Sequence, residues 1–119
     1  MSRQKGNLGE DIAISFLVKK NFKIITKNYY TKHGEIDIIV TDKEYIVFVE
    51  VKYRTNKNFG SPAEAVTNNK IKKITKSAIY YISQNNIQNK DIRFDIIEIT
   101  KIKNEYVINH IVDSFYPVY

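Results

Sequence analysis

Apolar residues along this chain recur with two periods, one near 3.6 and one of 2. From Leu8 to Lys20, the residues Leu8, Ile12, Ala13, Phe16 and Leu17 follow helical spacing. Asn7 is suited to cap the start of this helix, and Asn21 to end it in a left-handed conformation. The stretch 22–30, FKIITKNYY, is rich in β-branched and aromatic residues and predicts a strand. GEIDIIV (34–40) and EYIVFVEVKY (44–53) predict two more, joined by the polar turn region TDKE at 41–44. A loop, RTNKNFGSP, follows at 54–62. Ser61, Pro62 and Glu64 form a capping serine, a first-position proline and a glutamate three residues on. They predict a long helix running to about Gln84 that buries Ile71, Ile74, Ala78 and Ile82. A turn at 85–90 separates it from strands at 91–99 and 105–112. The expected order is α-β-β-β-α-β-β, a mixed central sheet with helices against it.

Three charges interrupt the most apolar of these strands. Asp37 lies between two isoleucines, Glu50 between two valines, and Lys52 two residues further on. Alternation places Glu50 and Lys52 on one face with Ile46 and Phe48, and Asp37 with Glu35 and Ile39. A hairpin centred between Lys43 and Glu44 sets Asp37 opposite Glu50 and Glu35 opposite Lys52. Carboxylates opposed at ~5 Å in an effective dielectric of ~20 repel by about 3 kcal/mol. A divalent cation on carboxylate oxygens offsets that cost, and a hard ion such as Mg²⁺ or Mn²⁺ suits oxygen ligands. Glu10 lies in line with Ala13, Ile14 and Leu17, at the edge of the first helix's apolar stripe, and is expected to point toward the sheet. It would add a third carboxylate, and Lys52 beside the cluster would hold a water or a phosphate.

Composition narrows the field. The chain has 119 residues, enough for a single domain over 1–119 with one core. It has no cysteine, which removes disulfides and thiolate metal sites. A net charge of +6 favours acidic partners, nucleic acid above all. No apolar run is long enough to cross a bilayer, and the first twenty residues do not form a convincing signal peptide, so the expected location is the cytoplasm, with no membrane partner.

GEID, a hairpin and then VEVK together resemble the D…ExK core of the PD-(D/E)xK nucleases, which have the restriction-endonuclease-like fold. An acidic residue on the first helix, here Glu10, is similar to the arrangement in archaeal Holliday-junction resolvases. More closely, GNLGEDIA, GEIDII, VFVEVKYR, FGSPAEAV and RFDII resemble the YraN family of small bacterial proteins assigned to that superfamily. One departure is Ile36, which stands where the superfamily name has proline; proline there is not a ligand. The resemblance implies a metal-dependent endonuclease acting on DNA, structure-selective or weakly sequence-specific, in repair or recombination, with branched, nicked or flapped substrates and a homodimeric assembly. Asp37 and Glu50 would bind the ion, the Val51 carbonyl would be a further ligand, Glu10 would bind directly or through water, and Lys52 would orient the nucleophile. The alternative is a nucleic-acid-binding module that keeps the fold with little or no activity.

Plainer roles compete at each position. Glu10 would complete a capping box with Asn7. Asp37, Glu50 and Lys52 would form a buried ion-pair network, although such networks stabilise poorly beside apolar residues. Glu35 is expected to pair with Lys52 or Arg54, and Asp95 with Arg93. His33 and His110 are expected at the surface. Lys72, Lys73 and Lys76, with Tyr80 beyond them, are expected opposite the apolar stripe of the second helix. There they would neutralise phosphates and stack on a base, or simply be solvated. Arg54 opens the loop expected to touch substrate.

Overall fold

The computed structural model describes residues 3–55 and 67–117, with side chains from Leu8 onward. The elements are α1 (Arg3–Lys19), β1 (Lys23–Thr31), β2 (Gly34–Asp42), β3 (Tyr45–Arg54), α2 (Asn68–Gln84), β4 (Asp91–Ile102) and β5 (Glu105–Ile111). The sheet order is β1-β2-β3-β4-β5. The β3–β4 pair is parallel and every other pair antiparallel. A parallel pair needs a crossover, and α2 lies within it. No helix among the described residues is long and apolar enough to cross a membrane.

Alternation in the central strands feeds two cores. Ile38, Val40, Val47, Val49, Ile97 and Ile99 pack with Ala13 and Leu17 of α1. Ile39, Ile46, Phe48 and Phe94 pack with Ile74, Ala78 and Tyr81 of α2. The helical stripe of α2 therefore buries Tyr81, whereas Ile82 is only half-buried, because the Tyr81 ring stands edge-on to both Tyr29 and Phe48.

Local sequence explains the boundaries. Asn21 ends α1 at φ 70° and Lys43 makes the β2–β3 turn at φ 56°, the left-handed region that suits turn residues. The helix starts differ from expectation. α1 already begins at Arg3, so Asn7 lies inside the helix and does not cap it. α2 begins at Asn68, capped by Thr67, whose side chain accepts the Lys70 N–H at 3.2 Å. Thr67 is extended, so no continuous helix passes through it; the expected start at Ser61 lies outside the described residues.

A buried polar group stands on the α1 face. Arg93 donates from Nε and Nη2 to the two oxygens of Asp95, each at 2.9 Å, as expected for that pair. His110 Nε2 lies 2.7 Å from Asp95 Oδ2, so His110 is not a surface residue. Register explains the correction: β5 pairs His110 with Ile97, next but one to Asp95, and the imidazole fits edge-on to Phe16 and Phe22.

Candidate metal centre

The site forms where the two middle strands separate. The β2–β3 ladder runs from Asp42↔Tyr45 to Ile38↔Val49, the register expected from the hairpin. Beyond Ile38, β2 continues on β1 (Ile36↔Tyr29, Glu35↔Tyr30), while β3 continues on β4 (Glu50↔Ile96, Lys52↔Glu98). Asp37 is the first residue past the ladder. Its Oδ2 accepts the Val51 N–H at 2.8 Å, a side chain standing in for a strand partner. Opposite it on β1, Asn28 takes a left-handed φ of 54°. Strict alternation fails here: Ile36 and Ile39 both pack toward α2, with Ile38 between them under α1.

Because β2 has left β3, Glu35 does not pair with Lys52 as expected. Instead Glu10, Glu35 and Asp37 converge, each offering an oxygen within 4.8 Å of the others. Gly9 lets α1 come close enough for Glu10 to take part: a Cβ there would meet Tyr53 Cβ at 3.1 Å. Oε1 of Glu10 is buried and finds no hydrogen-bond partner among the described residues, an unusual state for a carboxylate oxygen. Burial raises the Glu10 pKa, against a hydrogen bond from Asn28. Burial likewise pushes Asp37 up to about 8, aided by the charges of Glu50, Glu35 and Glu10 and opposed by the Val51 N–H. These three half-buried carboxylates could hold a hard divalent cation, which would supply positive charge and a partner for Glu10 Oε1.

Glu50 is 6% exposed and stands beside this group with its charge already engaged. Its Oε2 contacts Lys52 Nζ at 3.3 Å and also the ammonium of Lys70. Burial and the neighbouring Lys70 lower the Lys52 pKa, against the pull of Glu50. Burial also pulls Lys70 down, but the hydrogen bond and charge of Glu50 outweigh it and the Lys70 pKa is raised. A cleft of about 310 Å³ opens between β2, β3 and the first turns of α2, lined by Glu35, Asp37, Glu50, Lys70 and Lys73 among others.

The structure brings together Glu10, Asp37, Glu50, Lys52 and Lys73 of the residues expected from sequence. Lys73 belongs to the cleft rather than to the far side of α2, because its Cβ faces the Gly34 turn. Lys72, Lys76 and Tyr80 are exposed, and the last two flank a shallow groove with His33. Arg54 ends β3, half-buried. Two residues gain roles that the sequence pattern does not assign them. Glu35 carries a usable signal, since it lies two residues before Asp37 in GEID. Lys70 carries one too: it is the third residue after Thr67, which places it in the first turn of any helix capped there.

Fold and site together define a mixed α/β domain with an acid-lined cleft at the opening of its central hairpin. The chain belongs to the family described as uncharacterised protein family UPF0102, whose model matches residues 9–99. It is 47% identical to a UPF0102 protein of Clostridioides difficile over 114 residues, 96% of this chain and 98% of that one. A UPF0102 protein of Sulfurihydrogenibium is 50% identical over 94 residues, 79% of this chain and 82% of its own length. One of Syntrophomonas wolfei is 41% identical over 115 residues, 97% of this chain and 100% of that protein.

Proposed function

We propose that this chain is a divalent-metal-dependent phosphodiesterase that cuts DNA, a member of the PD-(D/E)xK nuclease superfamily. The observation that supports the reading is the convergence of Glu10, Glu35 and Asp37 around a buried oxygen with no partner among the described residues, beside the Glu50–Lys52 pair. A purely structural network would be expected to pair that oxygen within the described sheet and helices, because a buried acceptor left unmade is expensive. Mg²⁺ or Mn²⁺ would be held by Asp37 and Glu50 with Glu10, with Glu35 added by the geometry and the Val51 carbonyl as a neutral donor. When bound, the ion polarises the phosphate and lowers the pKa of water.

The chain's own groups do the rest. Asp37 is fixed by the Val51 N–H, so its free oxygen keeps one direction. Lys52, held by Glu50, would orient the attacking water and offset the negative charge that grows on the phosphate. Attack of water on phosphorus forms the new P–O bond and breaks the bond to the leaving sugar oxygen; the water gives one proton to solvent, and the leaving oxygen takes one from solvent. Lys73 lies in the cleft, and Lys76 and Tyr80 lie one to two turns further along α2. There they can neutralise flanking phosphates and stack on an unpaired base.

The test is incubation of linear, nicked, flapped and four-way DNAs with the purified protein in Mg²⁺, Mn²⁺ or chelator. Strand cleavage that needs the metal is the expected result. DNA binding without cleavage in any metal would leave a binding module instead.

A further inference from the structure

Two ammonium groups share one carboxylate oxygen at the edge of this cleft. Lys52 and Lys70 both contact Oε2 of Glu50, one from the strand that carries the glutamate and one from the first turn of α2. One lysine is enough to neutralise one glutamate. The second arrives from a different element, and its side chain is 41% exposed while that of Glu50 is 7% exposed, so it has room to leave. Its backbone does not have that freedom: the Lys70 N–H is held by the Thr67 cap, which fixes the start of α2 over the cleft. Lys70 thus reaches over the cleft like a tethered cation, with its ammonium on a carboxylate assigned above to metal binding.

We propose that Lys70 is a second lysine of the reaction centre, one that balances Glu50 while no divalent cation is present and turns to a non-bridging oxygen of the scissile phosphate once one is. The inference rests on the phosphodiesterase reading above. A divalent cation on Glu50 repels both ammonium groups held on its Oε2, so ion binding favours the departure of one of them. Lys52 is confined by its strand, with its side chain 19% exposed. Lys70 is the more exposed of the two, and the cleft that it lines holds the space in front of Glu35, Asp37 and Glu50. The positive end of the α2 dipole adds a field that favours an anion in the same place. Lys70 makes and breaks no covalent bond in this role. It supplies a positive charge and keeps its proton.

Two measurements on Lys70→Met, which keeps the length of the stem without the charge, decide the question. In the first, Mn²⁺ is titrated without DNA and free Mn²⁺ is read by its electron paramagnetic resonance signal. Removing a competing cation from Glu50 should tighten Mn²⁺ binding severalfold. In the second, single-turnover cleavage should fall by about 10²-fold or more, the usual effect of losing one preorganised group that stabilises transition-state charge. Lys70→Arg, which keeps the charge, should recover part of the rate and bind Mn²⁺ about as the wild type does; it also stands in if the Met variant does not fold. A mere structural partner of Glu50 gives the opposite pattern, with weaker metal binding and a lower melting temperature. Unchanged or weaker Mn²⁺ affinity in Lys70→Met, or cleavage within about threefold of wild type, overturns the inference alone. A wild type that binds no Mn²⁺, or binds it and cuts no DNA, overturns the phosphodiesterase reading and this inference with it.

Discussion

The carboxylate of Asp37 accepts the backbone N–H of Val51 at 2.8 Å, one residue past the last paired rung of the β2–β3 hairpin. A side chain thus takes over where main-chain pairing stops, and its pKa is raised there, first by burial and then by the charges of three neighbouring carboxylates. The arrangement holds Asp37 in place whether or not it is ionised, because the carbonyl oxygen of the protonated carboxyl accepts the same bond, as would the amide oxygen of an asparagine.

Asp37→Asn should therefore be neutral or stabilising in chelator. Burial, then the charge of Glu50, moves the folded pKa of Asp37 from 3.8 to about 8. The folded protein then holds a proton that the unfolded chain has released between those values, so this residue makes stability fall as pH rises from about 4 to about 8 and level off above. The variant lacks that slope. Thermal melts in chelator at pH 5, 6, 7 and 8 should show the variant gaining on wild type with each step. A variant that melts far below wild type throughout would make Asp37 one half of a structural ion pair.

Metal should reverse the order. Mn²⁺ that binds only the folded state stabilises by RT ln(1 + [L]/Kd), about 2.7 kcal/mol at one hundred times Kd. Wild type should gain that much and Asp37→Asn much less. The ion has to displace the Asp37 proton at neutral pH, so binding should release close to one proton. Calorimetric titrations in two buffers of different ionisation enthalpy measure that proton directly.

Glu50→Gln and Lys52→Ala should abolish cleavage while the circular dichroism spectrum is kept. Glu50 is buried and bears on two ammonium groups, so its loss also leaves Lys52 poorly compensated and should lower the melting temperature. Lys52→Ala should be milder on stability, because Lys70 still balances Glu50. Equal rates for wild type and both variants, from separate preparations, would move the chemistry elsewhere in the chain.

The element order and the identity of Glu10, Asp37, Glu50 and Lys52 are legible in the sequence because they rest on short-range rules: period-2 alternation, helical phase and the clash of charge with apolar strands. What is not legible depends on where two strands part. Glu35 falls opposite Lys52 only if the hairpin stays paired, and the turn of β2 toward β1 brings it to Glu10 instead. Lys70 stays hidden as long as the second helix is expected to start at Ser61. The burial of His110 is invisible locally, because nothing in its own stretch predicts the Phe16 and Phe22 rings that enclose it.

Replacing Lys72, Lys73 and Lys76 together by alanine should weaken DNA binding and make the slope of log K against log[salt] shallower by roughly 0.9 for each phosphate no longer neutralised. Position separates the three. Lys73 lines the cleft, so its single variant should change both affinity and cleavage rate, whereas Lys76, further along α2 beside His33 and Tyr80, should change affinity alone. An unchanged slope in the triple variant would mean that this face is merely solvated.

Acid stability should depend on a different aspartate, with the opposite sign. Asp95 is fully buried on the α1 face. Burial alone would raise its pKa, but His110, the two nitrogens of Arg93 and the Asp113 N–H outweigh that, and its pKa is lowered. A depressed carboxylate contributes stability above its unfolded pKa and loses that contribution as pH falls through the folded one. Asp95 therefore steepens unfolding in strong acid, while Asp37 erodes stability toward neutral pH, and wild type in chelator should be most stable at mildly acid pH between these limbs. Asp95→Asn removes the charge and leaves Arg93 with Asp42 alone, at 3.3 Å. Breaking a buried pair in this way costs about 3 to 5 kcal/mol. Urea denaturation at pH 7 should show a loss of that size, and the variant's stability should depend less on pH below 4 than that of wild type. A loss under 1 kcal/mol would show that the group on the α1 face contributes little to holding β4 and β5 together.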